Sequence, residues 1–335
     1  MLKLRILSFI VVLLSLFSCS NNFIFESEGD CGVYYRIGFK YDYNIKFADA
    51  FANEVNSIAL YVFNEDSILV EEIKQSGKEV LGTGSFEIPL ELAPGKYTLL
   101  AWGGLQDEES FELLAEPVVG QTRIEEMKVK MCRESDDNGA GVVDKDLKPL
   151  FHGCMPLEVA DVDGTYRETM SLVKNTNNIR IMLQELSGGN VDADKFIFEI
   201  TDANGLYGWD NSRLDDETIT YSPWSVKTAV TEMEETRAVT SVSVALAEHT
   251  IGRMTAGKSP VLTVKERESG EVVLKLPVAD YALMTKGEYN RNMGDQEFLD
   301  RQDGYSMTFF LNEGEWASAT IIINSWVVVI NETDI

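Results

Sequence analysis

The sequence has few of the residues that build metal and redox sites. Among its 335 residues there are two histidines, His152 and His249, and four cysteines. A histidine-rich metal site is therefore excluded, and neither the H-E-x-x-H pattern nor paired C-x-x-C motifs occur. His152, Cys154 and Cys132 could supply three zinc ligands, but no fourth ligand suggests itself. We interpret them as structural residues and predict no metal and no cofactor.

Positive charge is also scarce. Lys and Arg number 29 against 55 Asp and Glu, which gives a formal net charge of −26. A chain this acidic is repelled by nucleic-acid phosphates and by anionic lipid headgroups, so a nucleic-acid partner is excluded. Contact with a membrane must then come from an attached lipid and not from a basic patch.

Catalytic motifs are missing as well. No G-x-S-x-G nucleophile elbow occurs, and the Gly82-Thr-Gly84 doublet has no following helix of the kind a phosphate loop needs, so it is predicted to be a turn. Asp161-Val-Asp163-Gly164 begins like a calcium loop but lacks the later acidic ligands. Some of the many carboxylates will lie at glycosidase distance by chance. The sequence therefore predicts a protein that is not an enzyme. A lipoprotein hydrolase is the weakest alternative and would need a deep cleft with two converging carboxylates.

Disulfide bonds can contribute little. Apart from Cys19, the thiols are Cys31, Cys132 and Cys154, an odd number that is too low for a disulfide scaffold. At most one pair can form, and the sequence leaves its identity open.

The start of the chain is an export signal. Lys3 and Arg5 precede an apolar run of 12 residues, 6–17, which has the length of a signal-peptide core and is too short to span a bilayer as a helix. The run ends in Leu16-Phe17-Ser18-Cys19, which resembles a bacterial lipobox, although Phe17 is larger than the residue usual there. We predict a signal peptide over 1–18, a lipidated Cys19 and a polar spacer over 19–31. The alternative is an ordinary signal peptide in which Cys19 is incidental.

Beyond residue 32 the chain consists of short extended runs separated by turn residues. Strands this short at this spacing favour an all-β protein, a sandwich or barrel, over a βαβ fold. The length suggests two domains, and the charged, glycine-bearing segment 133–148 marks the transition between them. We predict domains over 32–150 and 151–335. The final apolar run, 319–330, is predicted to be one strand, either buried on both faces or covered by a partner.

The tryptophans indicate an alternative function. Trp102, Trp316 and Trp326 lie in or beside apolar runs and are predicted to be core residues. Trp209 and Trp224 lie in a polar region, and if both were exposed on one face they could stack on sugar rings. The alternative to an assembly role is therefore a surface lipoprotein that binds glycans.

Two further segments could contact a partner. Residues 41–51 are rich in aromatic side chains, but a packed edge of the first domain is the favoured interpretation. Residues 296–305 are charged, and here we favour a local structural role in which Arg301 pairs with Asp300 or Asp303.

Several blocks together resemble a known family, the FimB-like fimbrillin-A-associated anchor lipoproteins. They follow the lipobox-like segment in order and span nearly all of the mature chain. The blocks are residues 41–51, 60–63, 94–105, 150–153, 296–305 and 321–326.

The resemblance implies a fold, a location and a partner. The fold would be two tandem transthyretin-like β-sandwich domains with few short helices. The protein would be an outer-membrane lipoprotein at the cell surface that holds the base of a short fimbria, limits its length and supports adhesion. The implied partner is a fimbrillin shaft subunit joined by β-strand exchange, in which an extended segment of one subunit completes an open sheet of another.

Overall fold

The structure is a computed structural model that describes residues 32–105, 109–235, 238–287 and 290–329. The predicted signal peptide, the lipidated Cys19, the 19–31 spacer and Cys31 lie outside these residues and stay predictions. Within the described ranges, no helix is both long enough and apolar enough to cross a membrane.

The protein is all-β, as the sequence predicts, with 51% of residues in strands and 11% in short helices. The described residues before 160 form these strands: β1 Val33–Lys40, β2 Ser57–Phe63, β3 Leu69–Ser76, β4 Glu87–Leu90, β5 Gly95–Gly103, β6 Phe111–Leu113, β7 Val129–Met131, β8 Glu134–Ser135, β9 Gly141–Val143 and β10 Phe151–Val159. The later strands are β11 Gly164–Ser171, β12 Val173–Lys174, β13 Thr176–Glu185, β14 Phe196–Asp202, β15 Leu206–Tyr207, β16 Ile219–Tyr221, β17 Ser225–Glu235, β18 Ala238–Gly252, β19 Val261–Glu266, β20 Val272–Pro277, β21 Gly304–Asn312, β22 Glu315–Ile323 and β23 Trp326–Val329.

The helices are short and connect strands. The α-helices are α1 Phe51–Glu54, α2 Lys78–Leu81, α3 Val278–Leu283 and α4 Asp295–Arg301, and single 3₁₀ turns occur at Ile124–Glu126, Ala193–Lys195 and Met284–Lys286.

The described strands form five sheets. Sheet I has the order β11-β1-β4 and sheet II the order β12-β10-β5-β2-β3. Sheet III is β17-β18-β13-β21-β22-β23, sheet IV is β20-β19-β14-β16-β9-β8, and the small sheet V is β15-β7-β6.

Strand β2 shows how the first half is held together, because all seven of its residues are buried. Leu60 and Val62 belong to the core between sheets I and II. Tyr61 and Phe63 point the opposite way, as alternation along a strand requires, and belong to a second core that continues into the other half of the protein. A strand covered on both faces explains the run of apolar residues in its sequence.

The second core lies between sheets III and IV. Ile181 and Met307 come from sheet III, and Phe198 and Val264 come from sheet IV. Trp102, predicted as a core residue, is fully buried in the part of this core that borders sheet II. Burying side chains of this size contributes roughly 1.5–3 kcal/mol each.

The predicted domain boundary between residues 150 and 151 stays a prediction, but strand pairing crosses it. Strand β10 pairs with β5, and β11 runs parallel to β1, so residues 151–174 complete the sheets of the first half. Conversely, β9 lies before the predicted boundary but pairs with β16 of sheet IV, which lies after it. We propose that the first sandwich comprises 32–105 with 151–174, and the second 109–143 with 176–329.

The final apolar run is two strands and not the single strand predicted. Asn324 and Ser325 have positive φ angles of 47° and 73°, which form a tight hairpin turn of the type that matches strand twist, and β22 pairs back with β23. Ile321 and Ile323 are buried, whereas Trp326 is 54% exposed. The prediction that Trp326 is a core residue was therefore wrong, because the turn places it on the edge strand.

Candidate functional site

The segment 41–51 and the segment 296–305 contact each other across the two halves. The guanidinium of Arg301 lies over the rings of Tyr43 and Phe47, at 4.0 and 4.6 Å from their centroids. Its Nη1 donates a hydrogen bond to the Asp42 carbonyl at 3.2 Å, and the Ile45 amide donates to the Arg301 carbonyl at 2.7 Å. Both segments are therefore structural at this junction.

Arg301 does not pair as predicted. Its Nε donates to Glu297 Oε1 at 2.8 Å, one helical turn earlier in α4. Asp300 instead pairs with Arg253, and Asp303 pairs with Lys174. The prediction that Arg301 pairs with Asp300 or Asp303 was wrong, and the i, i+4 geometry of a helix is the physical reason.

Lys174 ties three elements together at the same junction. Its Nζ lies 3.0 Å from Glu54 Oε2 and 2.6 Å from Asp303 Oδ2. Burial alone would lower the pKa of Lys174, but the carboxylates of Asp303 and Glu54 outweigh it and hold the pKa above its ordinary value. Lys174 is thus charged at neutral pH, and it links α1, β12 and the loop before β21.

A second buried ion pair joins β18 to α4. Arg253 Nε and Nη2 donate to the two oxygens of Asp300 at 2.6 and 2.7 Å, and Gln296 adds a hydrogen bond to Asp300 at 2.8 Å. Both charged side chains are largely buried. Burial would lower the pKa of Arg253, but the bonds to Asp300 reverse the effect and raise it. Bidentate arginine–carboxylate pairs are among the strongest side-chain hydrogen-bonding interactions.

Within the described residues, His152 and Cys154 have structural surroundings. His152 packs edge-on against Trp102, with ring centroids 4.6 Å apart. Its Nε2 lies 2.8 Å from the Trp209 carbonyl, and because a carbonyl only accepts, this nitrogen carries the proton. Cys154 is exposed. The described part of the chain contains no group of three or more His, Cys, Asp or Glu residues arranged to hold a metal ion.

Both histidines are neutral in the folded protein, which makes stability depend on pH. Burial lowers the pKa of His152 and of His249 to about 4, whereas an unfolded histidine titrates near 6.5. The unfolded state therefore binds protons first as the pH falls. We expect each histidine to remove up to about 3 kcal/mol of unfolding free energy between about pH 6.5 and pH 4.

The measurement is urea unfolding of the parent and of His249→Leu at pH 7 and pH 5. Both proteins contain the same carboxylates, so the contribution of these groups to the pH dependence cancels when the two are compared. We expect a smaller loss of stability in the variant. Equal losses would show that His249 titrates normally in the fold.

Sheet III has two edge strands. Strand β17 forms one edge and β23 the other, and no further strand of the described residues pairs with either. Val230 on β17 is 71% exposed and Val327 on β23 is 62% exposed. Unpaired backbone groups beside exposed apolar side chains are the features that allow another chain to add a strand.

The two candidate sugar-stacking residues lie in different surroundings. Trp209 is half-buried and packs against the core, whereas Trp224 is 40% exposed. Trp224 lines a groove of about 480 Å³ on sheet III, and Trp209 does not. The condition set for the glycan alternative, both rings exposed on one face, is therefore not met. The polarity of the local sequence did not distinguish the two tryptophans.

The floor of the groove beside Trp224 carries several polar side chains. The lining side chains on the outer face of sheet III include Asn178, Arg180, Glu248 and Ser306. Strand register explains the grouping, because Arg180 lies opposite both Glu248 and Ser306 on the neighbouring strands. Sequence reasoning missed these residues, since they come from three strands far apart in the chain.

Comparison with known proteins gave one family and several structures. The family described as fimbrillin-A associated anchor proteins Mfa1 and Mfa2 matches residues 27–332. A candidate adhesin from Bacteroides thetaiotaomicron VPI-5482 is 34% identical with a TM-score of 0.80, covering 91% of this chain and 100% of that chain. A candidate polysaccharide-binding protein from the same organism is 28% identical with a TM-score of 0.78, covering 90% and 100%.

A more distant structure shares the fold. The fimbrial anchor protein Mfa2 from Porphyromonas gingivalis is 16% identical with a TM-score of 0.67, and the match covers 89% of this chain and 99% of that chain. Comparison with curated protein sequences gave no match.

Proposed function

This chain belongs to the family of fimbrillin-A associated anchor proteins, and on that premise we propose that it is a lipid-anchored subunit at the base of a fimbria. The observation that carries the proposal is the family match over residues 27–332, which follows directly on the lipobox-like segment ending at Cys19. A lipid at one end and a subunit-binding fold at the other are the two parts that an anchor needs. The protein acts by binding and not by catalysis.

The proposed location is the outer membrane at the cell surface. The chain as a whole has a formal charge of −26, and its acidic body has no attraction for anionic lipid headgroups. Acyl chains on Cys19 supply the attachment instead, at roughly 0.8 kcal/mol for each buried methylene. Because one end of the chain is occupied by the lipid, the fimbria can grow from one side only, and the anchor in this way supports adhesion and limits fimbrial length.

The proposed partner is a fimbrillin shaft subunit joined by strand exchange. The exposed edges β17 and β23 of sheet III support this mode, because either can extend the sheet with backbone hydrogen bonds. Exposed Val230 and Val327 would lie beside the added strand.

The test is to recover the protein from a solubilised outer-membrane fraction with an affinity tag inserted in the exposed turn at Asp137. We expect a fimbrillin to be recovered with it. Recovery of the anchor alone, under conditions in which fimbriae are present, would contradict the proposal.

Two matched variants locate the edge that is used. Val230→Lys and Val327→Lys each place a charge on one edge, and charged edge residues suppress strand addition. Both side chains are exposed, so we expect stability to change by less than about 0.5 kcal/mol. The variant at the edge that binds the fimbrillin should no longer co-purify with it, whereas the variant at the other edge should. Full retention in both would exclude pairing at sheet III.

A second binding function, glycan recognition, is supported by one surface. Trp224 is exposed in a polar groove, and a relative with 28% identity is described as a candidate polysaccharide-binding protein. The glycan alternative therefore rests on Trp224 alone, because Trp209 is packed against the core.

A further inference from the structure

The groove on the outer face of sheet III is built from three strands and three flanking segments. Arg180 on β13, Glu248 on β18 and Ser306 on β21 lie side by side across its floor. Asp146 and Asn324 lie at its margins. A volume of about 480 Å³ is within the range of small-ligand pockets.

Trp224 is held in place as one wall of this groove. Its amide donates a hydrogen bond to the Glu248 carbonyl at 3.0 Å, which fixes the backbone of Trp224 against β18. The side chain is nevertheless 40% exposed. A tryptophan ring that is partly open to solvent offers an apolar surface on which another flat apolar surface can stack.

The two charged side chains on the floor of the groove, Arg180 and Glu248, are paired with each other. Arg180 Nε and Nη2 both donate to Glu248 Oε1, at 3.1 and 2.7 Å, and Lys227 lies 3.7 Å from Glu248 Oε2. Burial would raise the pKa of Glu248, but the bond from Arg180 and the nearby cations lower it, so this carboxylate is ionised at neutral pH. The lining therefore carries one positive charge, on Arg180, and two negative charges, on Glu248 and Asp146, while Lys227 lies outside the lining.

We propose that this groove binds a neutral oligosaccharide, with the Trp224 ring stacked on a sugar ring and the polar floor hydrogen-bonded to its hydroxyls. Sugar hydroxyls donate and accept, and the floor offers both kinds of group, such as the Asn178 amide and the Ser306 hydroxyl. An acidic sugar is disfavoured, because Asp146 and Glu248 lie in the groove and the whole chain is strongly acidic. The site rests on the second candidate function and is independent of the anchor role.

The experiment applies the detergent-solubilised mature protein to a glycan array that carries neutral oligosaccharides and oligosaccharides containing uronic or sialic acids. The best neutral glycan is then titrated by calorimetry against the parent and against Trp224→Ala, Trp224→Phe and Trp326→Ala. We expect Trp224→Ala to weaken binding about 30-fold, as loss of a central tryptophan does. Trp224→Phe should recover part of the affinity, and Trp326→Ala, an exposed tryptophan outside the groove, should leave it unchanged.

Three results would overturn the inference. These are the absence of binding to every neutral glycan, equal or stronger binding to acidic glycans, and unchanged affinity in Trp224→Ala. If Trp224→Ala lost the co-purified fimbrillin but bound the same glycans as the parent, the groove would be part of the protein interface instead. If glycan binding failed while fimbrillin recovery persisted in all variants, the anchor function would stand without this site.

Discussion

Replacement of Cys19 by alanine is expected to transfer the protein, and any fimbriae attached to it, from the outer membrane to the medium. The expected effect is close to all-or-none, because two or more acyl chains give durable membrane attachment and a protein without them has no other contact of comparable strength. The acidic surface contributes no electrostatic attraction. The measurement is immunoblotting of membrane and medium fractions, together with electron microscopy of the cells and of released fimbriae.

The design must separate loss of the lipid from loss of export. A second variant therefore combines Cys19→Ala with Leu16→Ala and Ser18→Ala, which creates the small-residue pattern that ordinary signal peptidase cleaves. Mass spectrometry then verifies that the leader has been removed. Cys154→Ala is the matched cysteine control, since that thiol is exposed in the folded body, and it should stay in the membrane. Retention of the processed triple variant in the outer membrane would contradict the tether.

Replacement of Arg253 by leucine is expected to destabilise the fold by about 3–5 kcal/mol, the cost of leaving a buried carboxylate without its cation. Asp300 would keep only the hydrogen bond from Gln296, and the link between β18 and α4 would be lost. The loss is a large part of the 5–15 kcal/mol by which domains are usually stable. Denaturant unfolding of parent and variant measures it through the shift in midpoint at constant slope.

The matched control is Arg180→Leu. Arg180 also pairs with a carboxylate, that of Glu248, but the Arg180 side chain is 55% exposed. We therefore expect its replacement to lower the free energy of unfolding by at most about 1 kcal/mol. The double variant Arg253→Leu with Asp300→Leu should recover part of the stability, because no unpaired charge then remains buried. Similar losses for Arg253→Leu and Arg180→Leu would show that burial does not control the strength of these pairs.

The junction formed by Arg253, Lys174 and Arg301 has a consequence for the anchor role. A subunit at the base of a fimbria transmits the load from the shaft to the lipid. At this junction, Lys174 connects both halves through Glu54 and Asp303, and the Arg301 carbonyl accepts a backbone hydrogen bond from Ile45. Contacts of this kind would hold the two proposed sandwiches in one orientation.

The sequence by itself determined the features that depend on neighbouring residues. Alternating apolar residues and turn signals specify strands, and the all-β class follows from them because strand periodicity is local. The apolar sequence of β2 is local in the same sense, although only the structure shows that all seven of its residues are buried. The ordered blocks that mark the family are also contiguous stretches of sequence, and the family match confirms them.

Only the tertiary structure decided which distant residues meet. Tyr35 pairs with Tyr166 and Arg180 with Ser306, and such registers are fixed by which face each strand buries against the whole protein. The same long-range packing pairs Asp300 with Arg253 and Arg301 with Glu297. It also leaves Trp224 exposed and packs Trp209 against the core. A sequence window contains the side chain but not the surface that packs against it, and burial and pairing are properties of that surface.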